Sequence, residues 1–488
     1  MKKDFFYNFL LTSSNLLFPL LTFPYLSRIL GAEGIGICSF IQSYAQNFAI
    51  IAALGIPLYG IREISKVRDD KAKRSRIFFE LLSIHSILTV IFLIIYFISI
   101  FNYADFEQNK KLAIVGSGFI FLNVFSIEWL FTGLSNFKYI TIRSVIIRVI
   151  SIIFIFLLVK TKDDFTIYFV IIVLTFFFTA LLDMYSSIKF ISWKISLTIK
   201  GILVHLKPVT FLGIYMVLTS IYSVLPTTLL GFLSTKLAVG YYYGANRIIR
   251  MVISIFTSLI TVMIPRLNSV VEKKESGEYL LMLQKTLSIV ITFGIPITFF
   301  VFLVANPLVM LLAGKNFIDS IFVIQIMSPI ILIVAFAQIF VHLVLNVNRK
   351  DKEMMLLAVL GMIISIVINL VFIPRFAERA TGVSQLLSEL LVTLFSFFLA
   401  RRILHFHFPT RNFILNLMYV IPFAVITYLP IHFFTNNFLI LLTSGFFCFL
   451  YFIVYQLFFI KDKIFFEMIE PYLVRLKIKN KVLLNQRS

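Results

Sequence analysis

PLLTFPYLSRILGAEGIGICSFIQSYAQNFAIIAALGIPLYGIREISKVRDDKAKRSR, from Pro19 to Arg76, decides how the rest of the chain is read. Two apolar runs flank the short turn Gly31-Ala32-Glu33-Gly34, and a dense charged loop follows at once. Each run is long enough to cross a bilayer as a helix, which takes roughly 20 residues. The loop from Arg62 to Arg76 carries seven Lys/Arg against three Asp/Glu, so it belongs on the cytoplasmic side. One hairpin is thereby fixed, and the remaining spans are counted from it.

Composition extends this reading to the whole chain. Of 488 residues, 60% are apolar, 57 are Phe and only 14% are charged, with the charges clustered between apolar runs. A soluble protein must still face water, so this balance specifies an all-α polytopic membrane protein. The formal charge of +21 raises the question of nucleic acid, but its distribution answers it. Assigning loops by alternation puts 32 of the 44 Lys/Arg on the cytoplasmic side and 8 on the other. This is the positive-inside bias. A nucleic-acid partner would require basic residues on a soluble, aromatic-bearing face, and none is seen. Cys38 and Cys448 both fall inside spans and form neither a metal spacing nor a disulfide framework. The N-terminal MKKDFFYNFLL lacks a small-residue cleavage site after its apolar run, so it reads as a retained span.

The apolar runs give about 14 transmembrane helices, arranged as two six-helix bundles plus two C-terminal helices. An N-terminal bundle (1–188, spans 1–6) is followed by a cytoplasmic linker (189–207). A C-terminal bundle (208–400, spans 7–12), two further spans (401–460) and a basic cytoplasmic tail (461–488) complete the chain. An even count places both termini in the cytoplasm, in agreement with the charge at each end. Span 2 is expected from Gly36 to Gly60 and span 5 from about Ser144 to Val159. A weak repeat relates the halves: a shift of 207 aligns Pro19 with Pro226, Leu26 with Leu233 and Ser27 with Ser234. A one-residue slip then aligns Gly34 with Gly240. Such a repeat would place a transport site between the bundles.

Leu26-Ser27-Arg28-Ile29-Leu30-Gly31-Ala32-Glu33-Gly34-Ile35-Gly36 and Leu54-Gly55-Ile56-Pro57-Leu58-Tyr59-Gly60-Ile61-Arg62-Glu63 carry a resemblance. Together with Glu128-Trp129-Leu130-Phe131-Thr132-Gly133-Leu134, Phe137-Lys138-Tyr139-Ile140 and Arg143, they are similar to the O-antigen repeat-unit flippases. These are the Wzx-type polysaccharide transporters of the multidrug/oligosaccharidyl-lipid/polysaccharide exporter superfamily. The resemblance implies translocation of an undecaprenyl-diphosphate-linked oligosaccharide across the bacterial inner membrane. It further implies membrane lipids, a polysaccharide polymerase and a chain-length regulator as partners, and no nucleic acid.

With loops assigned, four basic residues remain inside spans: Arg28, Arg148, Arg247 and Arg250. An arginine at mid-bilayer costs about 2.5–3.5 kcal/mol on insertion scales, so these should face a water-filled interior. Arg247 and Arg250 lie three apart on one helical face, with Tyr243 and Asn246 adjoining. Guanidinium forks match phosphate oxygens bidentately, so the four are expected to line a cationic cavity. The competing reading is that they snorkel to the headgroups. Glu128 and Glu389 are candidates for coupling to H+ or Na+; for Glu128 the alternative is a salt bridge to a buried arginine such as Arg148. Glu80 and Asp183 are expected at the interface. Gln42, Gln46, Asn47, Asn123 and Asn369 would contact sugar or hydrogen-bond between helices. No cofactor is implied, and no phosphate-cradling GxxxxGK[ST] loop is present. A flippase, a drug or cation antiporter of the same superfamily, and a membrane polysaccharide polymerase or ligase are the functions left. An antiporter site should be acidic, and a polymerase usually carries a large outer loop. The longest outer loop here runs only from Asn306 to Asp319.

Overall fold

A computed structural model of the chain describes residues 2–193, 197–272 and 276–456; the basic tail from 461 lies outside them. The first helices are α1 (Lys2–Ala53), α2 (Ile56–Lys66), α3 (Lys71–Asn102), α4 (Lys110–Asn123), α5 (Glu128–Gly133) and α6 (Phe137–Leu158). They are followed by α7 (Phe165–Ser187), α8 (Ile199–Leu233), α9 (Lys236–Glu272), α10 (Ser276–Leu303), α11 (Ala305–Leu312) and α12 (Ser320–Met327). Next is α13 (Ile330–Gln338), which runs into a π-helical segment, Ile339–Asn346. Then come α14 (Asp351–Leu404), α15 (Thr410–Tyr419), α16 (Phe423–Phe433) and α17 (Asn437–Tyr455). No strand occurs among the described residues.

Among the described residues, twelve helical runs are long and apolar enough to cross a membrane. Two helices are far longer than one crossing and break in the middle: α1 at Gly31 (φ 68°) and α14 at Ala377 (φ 45°). The first break falls inside the turn that the sequence places between spans 1 and 2. Gly31 suits it because a left-handed backbone carries no penalty at glycine. Beyond each break, more than the roughly 20 residues that a crossing needs remain on either side.

Two boundaries beside the family-like patches differ from expectation. Span 2 ends at Ala53 rather than Gly60, because Leu54 takes a positive φ and a new short helix, α2, starts with Pro57 in its first turn. The helix expected from Ser144 begins at Phe137 instead. Asn136 caps it by accepting from the Tyr139 N–H, and this start puts Arg143 inside the helix.

The chain divides into two compact units. The first comprises residues 1–254, 312–327 and 352–392. Within it the two family-like patches pack on each other: a Cβ on Gly60 would meet the Trp129 ring at 2.4 Å, and one on Gly133 would meet Ile64 at 2.8 Å. Ile56, Ile64, Phe78, Leu81, Trp129, Leu130 and Phe131 form their buried core. The charged loop after α2 is tied down as well. Asp70 caps α3 by accepting from the Lys73 N–H at 3.0 Å, a bond that holds its carboxyl below the usual range. Arg68 donates to Ser135 Oγ at 2.7 Å, and Arg74 donates to the Phe190 carbonyl at 2.9 Å.

The second half of α1 runs against α8 and the start of α9 with almost no clearance. A Cβ on Gly36 would lie 1.8 Å from the Lys236 carbonyl oxygen, and one on Gly240 would lie 1.8 Å from that of Ala32. Small residues permit such backbone contact between membrane helices. Further along, Ser43 and Asn47 meet Thr228 at 3.0 and 2.9 Å, and Gly55 abuts Val209 and Gly213.

The second unit comprises residues 255–311, 328–351 and 393–488, described to 456. Here α10 packs on α13, α15 and α16, and Phe336, Phe340, Phe397, Phe406 and Phe408 form an aromatic cluster. The π-helical segment is held by Tyr279, whose hydroxyl donates to the Leu343 carbonyl at 2.6 Å. Asn416 accepts from Gln456 at 3.0 Å, joining α15 to the residue after α17.

Candidate functional site

A recess of about 200 Å³ in the first unit is lined by Phe18, Pro19 and Thr22 of α1, by Arg148, Ser151, Ile152 and Ile155 of α6, and by Arg247 of α9. The α6 residues fall at helical spacing from Arg148, so one face of that helix supplies them. Pro19 and Thr22 do the same from α1. Two of the four span-embedded arginines therefore converge on one small space.

The hydrogen-bond partners of both arginines are uncharged, although Glu128 also acts on Arg148 electrostatically. Arg148 Nη1 donates to Ser14 Oγ at 2.8 Å, and its guanidinium lies 5.8 Å from the Phe18 ring centre. Arg247 Nη1 donates to the Tyr243 hydroxyl at 3.0 Å, one turn back on α9, and sits 5.8 Å from that ring. Arg247 Nε is buried with no hydrogen-bond partner. A buried donor left unsatisfied costs about 1–3 kcal/mol, more for a charged group. The volume is below the ~300–1,000 Å³ of drug-sized sites. It fits a compact anionic group rather than an oligosaccharide.

Arg28 and Arg250 lie elsewhere. Arg28 is exposed at the Gly31 break, where it donates to the Pro24 carbonyl at 2.7 Å and its side chain lies against Gly314. Arg250 is also exposed; its Nε donates to Asn246 Oδ1 at 3.2 Å. Glu389 is 7% exposed, with Arg250 and Tyr222 close enough to act on its charge. Gln385, one turn before it, accepts from the Tyr242 hydroxyl at 2.6 Å.

Glu128 has an arginine partner, but it is Arg143 rather than Arg148: Arg143 Nη2 donates to Glu128 Oε2 at 2.6 Å. Arg143 Nη1 also pairs with Asp183, whose side chain is fully buried within the protein. This triad joins α5, α6 and α7. Arg143, part of the family-like patch, escapes the sequence reading as an intrahelical ion-pair partner because the helix start is set seven residues too late; Asn136, a preferred N-cap, is the signal that locates it. Glu80 is likewise buried, 3% exposed, and bonds to Arg76 and His205. Asn47 and Asn123 hydrogen-bond between segments, Asn123 to the Ala49 carbonyl, while Asn369 is buried against Ser365 and Ser384.

Helices of membrane-crossing length define a multi-pass membrane protein, and its first unit carries an arginine-lined recess. The chain belongs to the polysaccharide biosynthesis protein family, which it matches over residues 1–271. A putative O-antigen transporter of Escherichia coli (strain K12) is 26% identical over 404 residues, covering 80% of this chain and 95% of that protein. Among solved structures, the lipid II flippase MurJ in an inward closed conformation aligns with a TM-score of 0.66 at 17% identity. That alignment covers 90% of this chain and 99% of MurJ. An inward-facing multidrug-resistance MATE family transporter aligns at 0.60 and 15% identity, covering 80% and 94%. At these identities the structures establish a shared fold.

Proposed function

We propose that this protein is a flippase for undecaprenyl-diphosphate-linked oligosaccharide repeat units. It moves them from the cytoplasmic to the outer leaflet of the bacterial inner membrane, for O-antigen or a related surface polysaccharide. The observation that carries this reading is the convergence of Arg148 and Arg247 on one recess. A diphosphate offers several acceptor oxygens and about two negative charges, which planar guanidinium groups match bidentately. The names borne by the matching proteins support the same class of cargo.

In this reading the recess holds the diphosphate, the polar helix faces accommodate the glycan, and the lipid tail stays in the bilayer while the protein alternates its access. The breaks at Gly31 and Ala377 divide two long helices into two crossings each. With the remaining runs this reading counts fourteen spans and puts both termini in the cytoplasm. Arg28 and Arg250 contact the cargo only as it enters or leaves, because neither lines the recess.

Binding of undecaprenyl diphosphate to the purified protein tests the reading. Charged hydrogen bonds are worth about 1.5–3 kcal/mol each, so Arg247→Ala and Arg148→Ala should each weaken binding by roughly 10- to 100-fold. Arg250→Ala should change it much less. Equal loss from Arg250→Ala and Arg247→Ala would show that the recess is not the anion site.

A further inference from the structure

His205 is buried, and titratable side chains engage both of its ring nitrogens. Its Nε2 lies 2.9 Å from Glu80 Oε2, and its Nδ1 lies 2.9 Å from the Tyr59 hydroxyl. The other Glu80 oxygen accepts from Arg76 Nε at 2.9 Å. Four side chains on three helices thus form one chain: Tyr59 on α2, His205 on α8, Glu80 and Arg76 on α3. Among the described histidines, His205 alone pairs with a carboxylate. His405 and His432 bond to backbone carbonyls of their own helices, and His85 Nε2 is buried without a partner.

The backbone is shaped around this chain. A Cβ on Gly201 would stand 2.1 Å from Glu80 Oε1 and 3.1 Å from Arg76 Nη2, so α8 approaches the carboxylate at a residue with no side chain. The described charged and titratable groups that meet here are Tyr59 and Glu63 from α2, and Arg76 and Glu80 from α3. Glu63, one turn beyond Tyr59, acts on it electrostatically and is itself paired with Lys66 at 2.7 Å. Arg76 is half exposed, so water reaches one end of the chain; Tyr59 is partly exposed at the other.

We propose that Tyr59, His205 and Glu80 form a proton-binding relay that couples transport to the proton gradient, an inference that rests on the flippase reading. Histidine is the side chain that changes charge between pH 5 and 8, and this geometry accommodates both of its forms. In the neutral form the Tyr59 O–H donates to Nδ1, and Nε2–H donates to the Glu80 carboxylate. One proton from water converts His205 to the imidazolium. Nδ1–H then donates to the Tyr59 oxygen, the phenol hydrogen turns outward, and Nε2–H still donates to Glu80. No heavy atom has to move for the proton to bind.

The charged form pairs His205 with Glu80 more strongly and so ties α8 to α3. Further along, α8 bonds to α1 through Thr228, and a two-residue turn after Leu233 joins it to α9, which carries Arg247. The relay therefore acts on the helix that leads directly to the anion recess. Glu128 and Glu389, the coupling candidates visible in the sequence, are not part of it.

Two measurements test the relay. In liposomes, movement of fluorescent undecaprenyl-diphosphate-linked N-acetylglucosamine is followed by dithionite quenching, with a pH gradient imposed or collapsed by nigericin. The wild type should respond to the gradient by roughly fivefold or more, in the range of ordinary coupling between sites. His205→Asn and Glu80→Gln should still move the probe but lose that response. A wild type that ignores the gradient, or variants that keep its full response, would overturn the relay. Independently of transport, potentiometric titration should show the purified wild type binding a proton that His205→Asn does not. Identical curves would also overturn it. If the titration difference is present but the wild type fails to move the probe, the flippase reading is what fails.

Discussion

Substitution at Arg143 should show a large single-residue effect on the stability of the first unit. Its side chain is 3% exposed and sits between Asp183, at 0%, and Glu128, at 51%. Arg143→Met leaves the Asp183 carboxylate buried with no counter-charge. Removing one partner of a buried pair costs about 3–5 kcal/mol. Glu128→Gln removes a half-exposed partner and leaves Arg143 paired with Asp183, so its cost should stay within the ~0–1 kcal/mol of surface pairs. The double variant Arg143→Met/Asp183→Leu removes both buried charges and should recover much of the loss. Equilibrium unfolding in mixed SDS–maltoside micelles, followed by tryptophan fluorescence, gives the ranking. The burial argument is wrong if Glu128→Gln is as damaging as Arg143→Met, or if the double variant is no better than the single. The same series bears on Glu128 as a coupling site: a structural partner of Arg143 leaves transport by Glu128→Gln close to wild type.

Two other substitutions test the packing. Gly240→Leu drives a side chain into the Ala32 carbonyl and should cost at least the ~1–3 kcal/mol of overpacking, whereas Gly277→Ala, with nothing within 4 Å, should gain about 0.5–1 kcal/mol; equal melting temperatures for the two would refute the close approach. Trp129→Ala empties the core between the two family-like patches, and its loss should fall in the ~3–5 kcal/mol of large aromatic truncations, read in the same micelle assay.

The first hairpin is legible in the sequence because two apolar runs, a glycine turn and a basic loop each constrain it independently. The Gly31 break appears where that turn is placed, and Arg247 pairs with Tyr243 and Arg250 with Asn246 as helical spacing requires. Where hydropathy fails is at the helix ends. An apolar run continues through Leu54 and Gly55 with no change of composition, yet the backbone turns there and starts α2. In the same way Arg143 looks like a loop charge until Asn136 is recognised as a cap. The recess could not be assembled from the sequence, since its lining comes from α1, α6 and α9, whose mutual approach depends on packing. His205 and Glu80 are separated by 125 positions, and their contact depends on Gly201 leaving room for the carboxylate. Neither residue carries a local pattern that points to the other.

The central claim is that the arginine-lined recess holds the diphosphate of a lipid-linked glycan during transfer. Complementation tests it most directly, in a bacterium that lacks its own flippase and carries the glycan cluster cognate to this protein. Surface polysaccharide is quantified for the wild type, Arg148→Ala, Arg247→Ala and Arg250→Ala at matched membrane levels. The account predicts restoration by the wild type, loss in Arg148→Ala and Arg247→Ala, and substantial retention in Arg250→Ala. Full surface polysaccharide in Arg148→Ala and Arg247→Ala would contradict it.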